Sequence, residues 1–133
     1  MVKLTKKEEG FLGKNEIGRL ATVSPVGMPH VVPVSYIYHG GKLLVATDYE
    51  TKKYRNLSVN NRVAFVVDVY RPNRGILIQG RATIVEAGPE FAETYALFYK
   101  RFSWVRADPW KEGEAPFISI EPTNKVSWGL ETK

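Results

Sequence analysis

The sequence predicts a mainly β protein with flanking helices, built as a six-stranded antiparallel barrel, closed or partly closed on itself. Three observations lead there. Short apolar, β-branched runs alternate with Gly- and Pro-rich turns, the pattern of consecutive antiparallel strands. The links between those runs are a few residues long, too short for most βαβ crossovers. Three stretches carry helix signals, a capping pattern in the first and helical apolar spacing in the other two, which supplies helices to pack on the sheet. At 133 residues the chain has room for one domain, 1–133, with one core.

The first helix is announced by Leu4-Thr5-Lys6-Lys7-Glu8, where the Thr5 hydroxyl can cap free N–H groups and Glu8 can reach back. Gly18 is expected to end it. Strands follow at Arg19 to Val23, Pro29 to Tyr38 and Lys42 to Thr47, divided by Ser24-Pro25-Val26-Gly27 and His39-Gly40-Gly41. Asp48 to Asn61 breaks the β pattern, with Thr51 as cap and Tyr54 and Leu57 on one side of a helix of about three turns. Arg62 to Tyr70 and Gly75 to Glu86 are two long strands joined by Arg71-Pro72-Asn73-Arg74. Pro89 suits a first helical turn, and Phe91, Tyr95, Phe98 and Phe102 recur at helical spacing. Ser103 to Ala115 reads as an irregular connection or a short helix, and Pro116 to Trp128 as the last strand.

Composition narrows the function. A net charge of +5 favours an anionic partner: a nucleic acid, an acidic surface or a phosphorylated small molecule. The absence of cysteine excludes disulfides, thiolate metal sites and a cysteine nucleophile, and two histidines argue against a protein-only zinc site. The charged start and the absence of any run of roughly 18 to 20 apolar residues predict a soluble, cytoplasmic protein with no membrane partner. No Ser-His-Asp arrangement, paired carboxylate or GxGxxG fingerprint occurs, which disfavours hydrolysis and a dinucleotide-binding α/β fold.

The segment Leu43 to Leu57 carries the chemistry. A strand runs into a polar turn and then into a helix whose first turn holds Lys52 and Lys53. A helix N-terminus presents unpaired N–H groups and the positive end of the dipole, so an anion is stabilised there. Cations at that end oppose the dipole by roughly 0.3 to 1 kcal/mol each, a penalty that an anionic ligand reverses. Thr47 and Thr51 add hydroxyls. From this segment alone, a solvated surface helix with idle lysines accounts for the pattern as well.

Ala46-Thr47-Asp48, Tyr49-Glu50, Thr51-Lys52-Lys53 and Asn60-Asn61-Arg62-Val63 together resemble the pyridoxamine 5′-phosphate oxidase-like proteins. Those carry a strand, Tyr-Thr-Asn, two residues, Ser-Arg-Lys, and a helix ending in Asn-Asn-Pro-Arg-Val; here Asn61 replaces the proline. Gly18-Arg19-Leu20-Ala21-Thr22-Val23, Gly27-Met28-Pro29-His30, Val32-Pro33-Val34-Ser35-Tyr36 and Arg74-Gly75-Ile76-Leu77-Ile78-Gln79-Gly80 extend the likeness in order. The resemblance implies a split β-barrel of the FMN-binding type, a homodimer with the cofactor at the subunit interface. It implies that Thr51, Lys52 and Lys53 hold the FMN phosphate and that Thr47 supports the phosphate or ribityl end. Val32, Pro33, Val34 and Ser35 would lie along the isoalloxazine and give backbone hydrogen bonds to its polar edge. Arg74 and Gly75 stand at the family's Arg-Gln pair, with Gly75 lacking the amide. Trp128, in a closing strand like that of the family's shorter members, would line the site.

Departures from the family narrow the reaction. Tyr36 stands near the position of a substrate-gripping lysine in the vitamin-B6 oxidases, and their Arg-x-His pair has no counterpart, so oxidation of pyridoxamine phosphate is not expected. The resemblance implies an FMN-dependent oxidoreductase passing hydride or electrons between a nicotinamide or other donor, with NAD(P)H a candidate, and a small-molecule acceptor. The flavin carries that chemistry, so no catalytic side chain is named. Lys53-Tyr54-Arg55-Asn56-Leu57 also occurs in relatives that use 8-hydroxy-5-deazaflavin, the alternative cofactor. A further alternative is a binding module for haem, through His30 or His39, or for single-stranded nucleic acid, although clustering of the cations at one helix start makes nucleic acid the less favoured partner. Phe91, Tyr95, Phe98, Phe102, Trp104 and Trp110 form either a substrate lid or core or dimer contact, and Arg101 and Arg106 either attract a phosphorylated substrate or nicotinamide cofactor or are simply solvated.

Overall fold

The structure is a computed structural model that describes residues 2–130. Helix α1 spans Lys6–Lys14 and opens with the expected capping box, Glu8 N–H donating to Thr5 Oγ1 and Thr5 N–H to Glu8 Oε1. It ends earlier than Gly18. Asn15 donates its side-chain amide to Phe11 O and its N–H to Leu12 O, which closes the helix without a glycine. Gly18 instead lies within β1, Ile17–Val23, where a Cβ would come 2.3 Å from the Phe65 ring. Its small size serves strand packing, not helix termination.

Strands β2 (Pro29–His39) and β3 (Lys42–Ala46) follow as predicted. Helix α2, Lys52–Val59, is two turns rather than three, because residues 48–51 form a turn before it and Asn60 caps it. Then come β4 (Arg62–Val69), β5 (Arg74–Val85), α3 (Gly88–Arg101), a separate short helix α4 (Ser103–Ala107) and β6 (Phe117–Trp128). The six strands close into an antiparallel barrel in the order β1-β2-β3-β6-β5-β4.

Two apolar clusters divide the molecule. The barrel interior holds Leu20, Tyr36, Phe65, Ile76, Ile78, Ile118 and Ile120, joined by Phe11 and Leu12 from α1 and Leu57 from α2. Burying a side chain such as Leu12, with no exposed surface, is worth about 1.5–3 kcal/mol. The second cluster lies outside the sheet, where Phe91, Phe98, Phe102 and Val105 from α3 and α4 cover Ile37, Leu44 and Phe117. The aromatic stripe of α3 is thus core, since Phe91 and Phe98 are buried against Phe117 at ring separations of 5.3 and 4.9 Å. By contrast, the outward faces of β1, β2 and β6 carry Ile17, Val31 and Val126 at 52%, 62% and 59% exposure.

Candidate functional site

The centre of interest is the passage from β3 into α2. Thr51 caps α2 by accepting from Tyr54 N–H at 3.3 Å, while its own proton is directed to Asp48 O at 2.9 Å. Thr47, almost fully buried, sits with its hydroxyl 2.9 Å from that of Thr51. Arg55 donates to Glu50 O at 2.8 Å, and Tyr49 packs edge-on to Tyr54, so the turn is braced from both sides. The N–H groups of Lys52 and Lys53 open the helix and have no carbonyl within it to bond.

The two lysines differ. Lys52 is exposed, whereas Lys53 is partly buried at the wall of a cavity of about 660 Å³. Burial pushes the Lys53 ammonium below its ordinary value of 10.5, against the opposing pull of the Asp48 carboxylate. A desolvated cation beside open N–H groups is a site that gains from an anion. Across the cavity stand Trp104, Asp108, Trp110 and Glu114. Asp108 and Glu114 were not singled out in the sequence, whereas Trp104 and Trp110, weighed there as lid or core, line this cavity; the density of tryptophan and charge in Ser103 to Ala115 was the signal.

Backbone register relates the other predicted residues. Ile17 pairs with Ser35, Asp68 with Gly75, and Gly75 with Trp128. Continuing the β1–β4 register by two residues from Arg19–Val66 sets Ile17 opposite Asp68. Continuing the β2–β3 register by one from Tyr36–Val45 sets Ser35 opposite Ala46. One lateral row therefore runs Ala46, Ser35, Ile17, Asp68, Gly75, Trp128, and the ion pair of Arg19 with Asp68 at 3.0 Å braces its middle. At about 4.8 Å per strand, Trp128 is on the order of 24 Å around the sheet from Ala46.

The predicted residues thus fall into two groups. Thr47, Thr51, Lys52 and Lys53 gather at the start of α2, close in register to Val34 and Ser35. Val32 and Val34 point into the barrel, and Pro33 and Ser35 point out. Tyr36 N–H donates to Glu16 O at 2.9 Å, so by antiparallel alternation the backbone groups of Val32 and Val34 also face β1. Those of Val31, Pro33 and Ser35 face the opposite edge, and β3 pairs with β2 only from Tyr36 onward.

The second group is Arg74, Gly75 and Trp128. A Cβ on Gly75 would meet the Trp128 ring at 2.5 Å, so the indole lies over the glycine, with its N–H donated to Asn73 Oδ1 at 3.3 Å. Arg74 lies over the Phe11 ring beside a second cavity, of about 630 Å³, that Lys7 and Lys14 also line.

Several other candidates have structural partners. Tyr36 is fully buried and donates to Leu12 O at 2.6 Å, holding α1 to the barrel; burial pushes its phenol well above the usual range. Arg101 pairs with Glu16 at 2.9 Å, and Arg106 donates to the carbonyls of Tyr99 and Lys100. His30 occupies an inward position of β2 with Nδ1 buried and unpartnered, while His39 is exposed at the strand's end.

The sequence model for pyridoxamine 5′-phosphate oxidase matches residues 4–125. The chain belongs to that family. It is 33% identical over 136 residues to a 5a,11a-dehydrotetracycline/5a,11a-dehydrooxytetracycline reductase of Streptomyces rimosus subsp. rimosus, covering 96% of this chain and 84% of that protein. Among solved structures, an F420 reductase superposes with a TM-score of 0.72 at 25% identity, covering 92% of this chain and 98% of that one. The haem-storage protein HutZ from Vibrio cholerae superposes with a TM-score of 0.80 at 17% identity, covering 94% of each chain, a likeness of fold alone.

Proposed function

We propose that this family member is a homodimeric flavin-dependent reductase that grips the FMN moiety of its cofactor and reduces a small organic acceptor, with a reduced nicotinamide as electron donor. The observation that carries the reading is the partly buried Lys53 ammonium at the open N-terminus of α2, on a cavity wall. The residues present fit a phosphorylated flavin. Lys52 and Lys53 offer two ammonium groups and two free N–H groups to the phosphate, and Thr47 and Thr51 border it. The open β2 edge at Val31, Pro33 and Ser35 offers backbone partners to the polar rim of the ring. The reductase named among the relatives supports reduction as the direction of chemistry.

When bound, the flavin supplies hydride transfer, and the protein's part is to fix its two ends and exclude water. The distance along the row from Ala46 to Trp128 is why the proposal includes a second copy. The uncovered outward face, with Ile17, Val31 and Val126 exposed, is the apolar surface on which two chains would pair. Pairing would bring Trp128 of one chain toward the phosphate end of the other and cover the ring.

The deazaflavin reading is favoured by the likeness to an F420 reductase. The motif Lys53 to Leu57 does not separate the two cofactors, because Asn56 is buried on Thr22 Oγ1 at 3.0 Å and Leu57 belongs to the core. Titrating the apo-protein with FMN, the deazaflavin and haem, and recording spectra, decides among them. FMN binding shows two visible bands that dithionite bleaches reversibly. Binding of haem alone, or steeply salt-dependent oligonucleotide binding without flavin affinity, overturns the proposal.

A further inference from the structure

The cavity beside Lys53 holds more than a terminal phosphate requires. We infer that it is a tail site, shaped for the neutral purine nucleoside of a flavin dinucleotide and set against the oligoglutamyl tail of a deazaflavin. This rests on the placement of the cofactor phosphate at the start of α2.

Position makes it a tail site. The end of β3 has β2 on one side and β6 on the other, through Tyr36–Val45 and Ala46–Phe117. The proposed ring edge belongs to β2. The cavity lies on the other side, between Thr47, Asp48 and Lys53 and the segment that leads from α4 into β6. No residue of β1, β2 or β5 lines it. A substrate must lie against the ring to accept hydride, whereas this space continues from the phosphate away from the ring.

Chemistry sets what enters. A volume of about 660 Å³ is within the roughly 300–1,000 Å³ of small-molecule sites. Trp110 is fixed by donating its indole N–H to Ala115 O at 3.2 Å and by edge contact with Tyr95. Trp104 lies nearly parallel to it, 10° between planes, and is 44% exposed, a large aromatic face left to solvent. Aromatic faces of this kind stack on purines without regard to charge. Asp48, Asp108 and Glu114 set three carboxylates against the single ammonium of Lys53 in the cavity wall. Each carboxylate of an oligoglutamyl tail would meet like charge there. A neutral nucleoside meets none, and the second phosphate of the dinucleotide stays with Lys52 and Lys53.

The test is fluorescence and calorimetric titration of the apo-protein with FMN, flavin adenine dinucleotide, and the deazaflavin with and without its tail. The dinucleotide is expected to bind at least tenfold more tightly than FMN, with quenching of tryptophan emission. Trp104→Ala should remove that advantage and leave FMN affinity within twofold. Ala107→Trp, which fills the cavity from α4, should do the same by a different route. Asp108→Asn with Glu114→Gln should strengthen binding of the tailed deazaflavin at least fivefold. Equal affinity for FMN and the dinucleotide, unmoved by either tryptophan variant, overturns the inference and leaves the phosphate site standing. Tighter binding of the tailed deazaflavin than of its tail-less form also overturns it. Failure of every flavin to bind removes the phosphate site and the tail site together.

Discussion

Helices α1 and α2 begin in the same way and are charged in opposite ways. Each opens on a threonine that accepts an N–H bond from the residue three positions on, Glu8 in one and Tyr54 in the other. In α1 the first turn carries Glu8 and Glu9, so the helix supplies its own negative charge. In α2 the first turn has no acidic residue and carries Lys52 and Lys53. Glu8 is also tied to Lys125 at 2.6 Å and to Ser127 at 2.7 Å, which fastens α1 to β6. The difference separates a helix start completed by its own chain from one whose charge its own chain leaves unbalanced, the start at which we propose that the cofactor phosphate sits. Self-neutralisation favours stability, whereas the cations at the start of α2 oppose its dipole, a cost that the proposed anionic ligand would reverse.

The largest expected effect is on the unbalanced start. Lys52→Ala with Lys53→Ala should weaken FMN binding well over tenfold, since each charge-assisted contact is worth about 1.5–3 kcal/mol. Its thermal midpoint should hold or rise slightly, because two cations leave the positive end of the dipole. Unchanged FMN affinity in this folded variant would sink the phosphate site.

Next comes the self-completed start. Glu8→Ala should lose about 1–2 kcal/mol in urea unfolding, because the partly buried ammonium of Lys125 and the Ser127 hydroxyl lose their acceptor. Burial works to raise the Glu8 carboxyl, but hydrogen bonds from Lys125, Thr5 and Ser127 outweigh it and hold the group below 4.5. The depressed folded value means that this stabilisation is present above 4.5 and is lost as pH falls through the folded value. Glu8→Gln should flatten that acid limb, and an unchanged limb would show that Glu8 does not control it.

Thr51→Ala removes a cap worth about 1 kcal/mol and should lower stability and FMN affinity together, whereas Thr5→Ala should lower stability alone. Loss of FMN affinity in Thr5→Ala would erase the contrast between the two starts. The smallest effect is on pH. FMN affinity should be level near neutrality and decline as pH rises toward the Lys53 value, which lies below 10.5. Deprotonation there removes the positive charge. Lys53→Arg should carry affinity to higher pH, since a guanidinium keeps its proton.

Much of the fold can be read from short windows. Thr5 and Glu8 mark one helix start and Thr51 another, because capping is a contact across three residues. Gly27 and the pair Gly40-Gly41 mark turns at positive φ, which glycine adopts without strain. Gly18 and the length of α2 show the limit. Whether a glycine ends a helix or makes room for Phe65 depends on a ring far along the chain, and Asn15 had already closed the helix.

Within the site, the sequence by itself determined the elements, the caps and the lysine pair at the start of α2, since each is a local pattern of charge, period and turn chemistry. The tertiary structure decided that Lys53 is desolvated and Lys52 is not, that Trp128 covers Gly75, and that Trp104 and Trp110 face Asp48 and Lys53 across a cavity. Those facts depend on strand register and on how α4 packs over β6. Burial and encounter between distant segments follow from closure of the barrel, which no local window contains.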